Sequence, residues 1–290
     1  RDDPKSYKDY AGFLFQVAAR YGRVKHNDNV LKVDTMPRWS GDIQNEKKTG
    51  LGLLEYIEPW NEEKWWKNGT PEQEAYIEPE TMAALMSACY DGHEGNLGAG
   101  VGIKTADHSM VVVMPGLSDF AFDYASKMGD WFSKNRKDGK WPCDIINYHH
   151  YSNTGNKLKQ YPPKWNENGA CLPADDENFN SVRNIVYGAN FAGKKVWITE
   201  MGADTVAPSM MLAKTPSKSS EDFQAEIITE SLKAYQADGV DAVFVFTAHD
   251  DYGAADGGQF ETCGLWTSQA TGYKPKPSSK AVKSFIEGLK

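Results

Sequence analysis

The sequence predicts an α/β fold of parallel strands, a (β/α)8 TIM barrel, in a single domain over residues 1–290. Three observations predict it. Short apolar runs alternate with longer amphipathic stretches, as in sheets whose parallel strands are joined by crossover helices. No hairpin turn signal is read between consecutive strands. The long polar loops follow strand C-termini, the face on which barrel active sites are built. An open doubly wound sheet is the competing architecture, but no glycine-rich phosphate turn follows any strand.

The elements follow in order. Residues 5 to 22 read as a helix, with Tyr7, Tyr10, Phe13, Val17 and Tyr21 at helical spacing, and Gly22 stops it. Residues 23 to 50 are rich in turn formers and read as a loop that Trp39 anchors. Leu53 to Ile57 is the first strand, and Pro59 ends it. Pro79 to Tyr90 is a helix with proline in its first turn and Gly92 past its end. Met110 to Met114, closed by Pro115-Gly116, suits a strand buried on both faces. A helix follows over Phe120 to Asn135, then a strand from Ile145 to Tyr148 that leads into His149-His150-Tyr151. Residues 152 to 177 read as a polar loop and Phe179 to Phe191 as a helix. Val196 to Thr199 is a strand that delivers Glu200, and residues 204 to 220 are loop. Ser220-Glu-Asp-Phe caps a helix whose Phe223, Ile227, Ile228, Leu232 and Tyr235 share a side. Ala242 to Phe246 is the last strand, and Lys280 to Leu289 closes the chain.

Composition narrows the function classes. The chain carries a net charge of -8 with 25% charged residues, a poor match for nucleic acid or an anionic membrane. No run approaches the ~18 apolar residues of a membrane span. Four cysteines, Cys89, Cys143, Cys171 and Cys263, form no CxxC pair, which argues against a structural zinc site. No signal peptide is read, yet residue 1 is arginine; the N-terminus is expected to be processed, trimmed or incomplete.

The chemistry concentrates in Tyr56-Ile-Glu-Pro-Trp-Asn-Glu-Glu-Lys-Trp-Trp66. An amide beside a carboxylate after a strand, among indole rings, offers flat apolar faces for a sugar and a proton donor. The ordinary reading is that Asn61 and Glu62 cap a helix and the tryptophans are core. A second carboxylate, Glu200, ends another apolar strand, where the ordinary reading is a rim salt bridge. In a closed barrel the strands of Glu62 and Glu200, three units apart, face each other across the mouth. Two carboxyls so placed are what glycosidic cleavage uses.

On these residues the chain resembles the clan A retaining glycoside hydrolases, whose families include xylosidases and cellulases. The resemblance implies that Asn61-Glu62 ends barrel strand 4 with Glu62 as general acid/base, and that Glu200 ends strand 7 as nucleophile. It gives His149 and Tyr151 to the His-x-Tyr motif of strand 6, and Trp60, Phe246, His249, Asp250 and Trp266 to the cleft. The implied function is hydrolysis of a poly- or oligosaccharide by double displacement, with no metal or cofactor. The implied partner is a carbohydrate, bound by a monomeric secreted or periplasmic protein. The alternative is a non-catalytic barrel that binds carbohydrate. By this alignment the chain before Leu53 has no room for strands 1 to 3, at ~30 residues each, so the barrel reads as incomplete, with strands 4 to 8 recognisable. The arginine that the clan carries near the end of strand 2 has no counterpart. The carboxyls of Glu62 and Glu200 are expected about 5 Å apart, as retention requires.

Other features have competing readings. His149-His150 can be a metal pair, but adjacent strand residues point to opposite faces. Asp250-Asp251 with Asp256 can hold calcium or form a solvated turn. Tyr161 and Trp165 can stack on sugar or pack within their loop. Asn68-Gly-Thr70 is a glycosylation sequon. Gly98-Ala-Gly-Val-Gly102 and the His93 segment Asp91-Gly-His-Glu94 read as turns. Cys171 and Cys263, both in loops after strands, are expected to pair as a disulfide in an oxidising compartment.

Overall fold

The computed structural model describes residues 2–34, 36–37, 39–43, 45–66, 74–118, 122–151, 164–165, 171–172, 193–205, 219–251 and 260–289. The chain divides into two compact units, Arg1–Ile146 and Asn147–Lys290. The predicted helix over 179–191 lies outside the described residues.

In the first unit, a 3-10 turn leads into helix α1, Lys8–Tyr21. Its buried face is Ala11, Leu14, Phe15, Ala18 and Ala19, while Phe13 is 59% exposed. The aromatic stripe read from the sequence is therefore not the core face. Alanines take that role because α1 packs closely on α2 (Pro79–Asp91) and the short α3 (Ile103–Ala106); α2 answers with buried Ala83, Ala84 and Ala88. Gly22 ends α1, but with extended backbone rather than a left-handed cap. Glycine is needed there for proximity: a Cβ would sit 2.4 Å from the Asp107 carboxylate and 2.5 Å from the Ala18 carbonyl.

Strand β1 is shorter than predicted, Tyr56–Ile57. Leu53 and Leu54 instead give their N–H groups to the Tyr21 carbonyl and stay exposed. A hairpin of β2 (Lys64–Trp66) and β3 (Glu74–Tyr76) follows. This antiparallel pair departs from the sequence reading, which found no hairpin signal between strands. Strand β4, Val111–Val112, pairs parallel with β1, and Val113 bridges parallel to Ile145, the first residue of β5 (Ile145–Tyr151). Helix α4, Phe122–Asn135, packs on α2. Trp39 is 70% exposed and does not anchor its loop by burial.

In the second unit the sheet order is β5-β8-β9, with β8 spanning Lys195–Gly202 and β9 Ala242–Val245. Strands β8 and β9 are parallel. A two-residue antiparallel pair, β6 (Lys164–Trp165) with β7 (Cys171–Leu172), interrupts the stretch read as loop. Helix α5, Ser220–Asp238, starts one residue later than its cap. Ser219 accepts from the Asp222 N–H and Asp222 reaches back, a capping box. The five apolar residues assigned to one side of α5 are all buried. Helix α6, Pro277–Gly288, packs on α5. The observed class is α/β with parallel strands and intervening helices, an alternation that fits a partial (β/α)8 barrel.

Candidate active site

The first carboxylate group lies on the segment after β1. Its backbone is pinned from two directions. The Glu62 N–H donates to the Gly116 carbonyl at 3.1 Å, and the Gly116 N–H donates to Glu58 Oε1 at 2.8 Å. On the other side the Tyr10 hydroxyl donates to the Pro59 carbonyl at 2.5 Å, and its ring meets Trp60 edge-on at 6.0 Å. Trp60 is left 38% exposed, and Asn61 is exposed. Glu62 itself sits at φ 45, in the left-handed region. That conformation costs a non-glycine residue roughly 1–3 kcal/mol, and it persists only where the surroundings hold it. Glu62 is half-buried. Its neighbour Glu63 is 1% exposed, and its carboxylate accepts from the Ser118 N–H at 2.9 Å and from the Ser118 hydroxyl. Of the two adjacent acids, then, Glu63 ties down the Ser118 turn and Glu62 is the one that reaches solvent.

The second carboxylate belongs to β8. Against β9, Ile198 pairs with Val243 but Met201 pairs with Val245. Three steps on β8 thus match two on β9, and the extra residue falls where Thr199 and Glu200 lie. An extra residue of this kind bends the strand and re-aims a side chain. The Glu200 side chain is 27% exposed, with Oε2 3.5 Å from His149 Nδ1.

His149 is 1% exposed and its other ring nitrogen, Nε2, lies 3.1 Å from Thr199 Oγ1. The Asn147 amide orientation follows from the network. The Thr199 backbone N–H can only donate, so the Asn147 oxygen accepts it at 3.0 Å. Asn147 Nδ2 is thereby the donor to Thr199 Oγ1, at 2.7 Å. The Thr199 hydroxyl thus links Asn147 to the His149 ring and holds the imidazole beside Glu200. Asn147 and His149 share a strand face, as residues two apart do. That spacing was a legible signal for Asn147, which the sequence reading passed over along with Thr199.

His150 points the other way, as strand alternation requires. It is fully buried, its Nδ1 meets the Tyr235 hydroxyl, and the rings pack edge-to-face at 5.9 Å. Burial pushes the imidazole down to about 3 and the Tyr235 phenol well up. The two histidines therefore serve opposite faces. The Tyr151 side chain lies outside the described residues.

Beyond β9, Phe246 packs edge-to-face on Phe260 at 6.4 Å. His249 and Trp266 are bridged to each other through their backbones, and Trp266 is 39% exposed. Asp250 takes neither of its expected roles, calcium ligand or solvated turn. It is buried, and its Oδ1 accepts from Lys276 Nζ at 2.7 Å and the Gly264 N–H at 2.9 Å. A charge with so little access to water needs a partner, and Lys276 is that partner. Asp256 lies outside the described residues, as do Asn68, Tyr161 and the Trp165 side chain. The expected Cys171–Cys263 disulfide is absent: Cys263 is a free, buried thiol, pushed up chiefly by desolvation. The segment Asp91–Glu94 is a structural turn, with Gly92, His93 and Glu94 all at positive φ. Buried Arg136 locks it by a bidentate pair with Asp91 at 3.1 and 2.8 Å.

No family model matches the chain. No curated protein matches it either. Among solved structures, xylanase 10B from Thermotoga petrophila RKU-1, in complex with xylobiose, is 18% identical over 82% of this chain and 61% of that one, with a TM-score of 0.47. The monomeric β-xylosidase of Caulobacter crescentus CB15 is 19% identical over 77% of this chain and 40% of its own, with a TM-score of 0.43. The GH39 enzyme of Xanthomonas axonopodis pv. citri is 19% identical over 80% and 40%, with a TM-score of 0.46. The chain thus spans at most 61% of the length of these three structures. Among the described residues, no helix is long and apolar enough to cross a membrane.

Proposed function

We propose that this chain carries the catalytic residues of a retaining β-glycoside hydrolase acting on a poly- or oligosaccharide. The observation that carries the reading is Glu200 on an irregular stretch of β8, faced by a buried histidine that Thr199 and Asn147 hold in place.

In the first step Glu200 attacks the anomeric carbon. The bond to the leaving oxygen breaks, and Glu62 gives that oxygen its proton. In the second step Glu62 takes a proton from water, the resulting hydroxide attacks the glycosyl-enzyme, and Glu200 leaves as carboxylate. Asn61 is assigned to the sugar 2-hydroxyl, and Trp60, Tyr151, Phe246, His249 and Trp266 to the walls that hold the sugar chain.

The test is hydrolysis of aryl β-glycosides by a protein carrying residues 1–290, followed by the stereochemistry of the first-formed sugar by NMR. Release of the β-anomer, lost in Glu200→Gln, supports the proposal. Release of the α-anomer would replace double displacement with inversion. Binding of oligosaccharides without any hydrolysis would favour the carbohydrate-binding alternative.

A further inference from the structure

The segment that carries Glu62 is steered from helix α1. Tyr10 stands in the first turn of that helix. Its neighbour Ala11 is fully buried, with its carbonyl accepting the Gly102 N–H at 3.1 Å. The Tyr10 ring is therefore mounted on a fixed helix rather than on a loop. It stacks on Phe13 at 6.4 Å, meets Trp60 edge-on at 6.0 Å, and sends its hydroxyl to the Pro59 carbonyl at 2.5 Å. Burial, with the Cys89 thiol nearby, pushes the phenol above its ordinary value, so the hydroxyl keeps its proton and is the donor. The pyrrolidine ring fixes φ at Pro59, and a hydrogen bond to its carbonyl fixes ψ. Pro59 is left with no soft dihedral. Just beyond, Asn61 bridges to Gly116, the Glu62 N–H donates to the Gly116 carbonyl, and Glu62 takes φ 45.

We infer that Tyr10 is a positioning residue for Glu62: acting through the Pro59 carbonyl, it holds Glu62 in the left-handed conformation from which its carboxyl is presented. The magnitudes are matched. The net worth of one hydrogen bond and the cost of a left-handed glutamate are of the same order, so losing the bond is enough to release the conformation. Relaxation of Glu62 to a negative φ changes the direction in which its side chain leaves the backbone and re-aims the carboxyl. A proton donor moved by even a fraction of its reach loses much of its effect. Tyr10 touches no reacting atom; its influence passes through the backbone. The name acid/base for Glu62 rests on the glycosidase reading, whereas the conformational role of Tyr10 does not.

The test is Tyr10→Phe, which keeps the ring against Phe13 and Trp60 and removes only the hydroxyl; a thermal melt checks that the fold holds. Glutamate-selective isotope labelling gives the Glu62 amide signal by NMR, assigned by its absence in Glu62→Gln. A positive φ brings the amide and α protons of one residue close together, so cross-relaxation between them is strong. That strong signal in the parent, lost in a folded Tyr10→Phe, supports the inference. Its absence from the parent, or its persistence in Tyr10→Phe, overturns it. The kinetic readout is kcat/KM, which reports the first bond-breaking step. For glycosides with poor leaving groups it should fall about ten- to a hundredfold in Tyr10→Phe, while a dinitrophenyl glycoside, which leaves without a proton, holds its value. Equal losses on both, or no loss on either, overturn the positioning of the acid. A parent without any hydrolysis would sink the glycosidase reading alone, since the NMR signal still decides what Tyr10 does to Glu62.

Discussion

His149 Nδ1 stands 3.5 Å from Glu200 Oε2, and the same ring is held from behind by Thr199 at 3.1 Å. The residue that precedes Glu200 in the chain therefore orients the group that faces it. Thr199→Val keeps the shape and removes the hydroxyl that joins Asn147 to His149. Stability should fall by about 1–3 kcal/mol, the cost of buried polar groups losing a partner, as read from urea denaturation. If Glu200 is the nucleophile, turnover should fall by about tenfold while Thr199→Ser keeps most of it. A Thr199→Val protein as stable as the parent would refute the network.

The two proposed catalytic acids should fail differently. Glu200→Gln removes the attacking group, so every substrate should stop. Glu62→Ala removes only proton transfer, worth about 10² to 10⁴ in rate. A dinitrophenyl glycoside leaves without a proton, so its first step should survive, and added azide should speed turnover and yield a β-glycosyl azide. Glu63→Gln, at the Ser118 turn, should alter the melt rather than this pattern. Equal loss of activated and natural substrates in Glu62→Ala, with no azide rescue, would remove the assignment.

Acid should destabilise the second unit through His150. Its folded imidazole lies at about 3, below the unfolded value near 6.5. As pH falls below about 6.5, the unfolded chain takes up a proton that the folded one refuses, so stability declines toward pH 3. The slope approaches about 1.4 kcal/mol per pH unit for one proton. Denaturation midpoints between pH 7 and 4 should fall more steeply for the parent than for His150→Asn. Parallel curves would contradict the burial of a neutral His150.

The Asp250–Lys276 pair offers a stability test without reference to catalysis. Both side chains are nearly excluded from solvent, at 11% and 2% exposure. Lys276→Met strands the Asp250 charge and should cost about 3–5 kcal/mol, whereas Asp250→Asn with Lys276→Met together should recover much of it. Denaturant unfolding decides between them, and a single variant as stable as the double one would argue against a buried charge pair.

The sequence by itself determined the class and most of the elements. Helical spacing, Pro79 at a first turn, Gly92 past a helix end, and the apolar runs at Met110 and Val196 act within a few residues, so they can be read without knowing what lies opposite. It also singled out Glu62, Glu200 and His149 as candidate site residues. Only the tertiary structure decided which face of α1 is core, because that depends on which side α2 and α3 pack against. It decided that Asp250 belongs to Lys276, that Glu63 rather than Glu62 is consumed by Ser118, and that Thr199 and Asn147 hold His149 beside Glu200. Each depends on partners dozens of residues away in the chain, and a carboxylate's role follows from which partner reaches it and whether water still can.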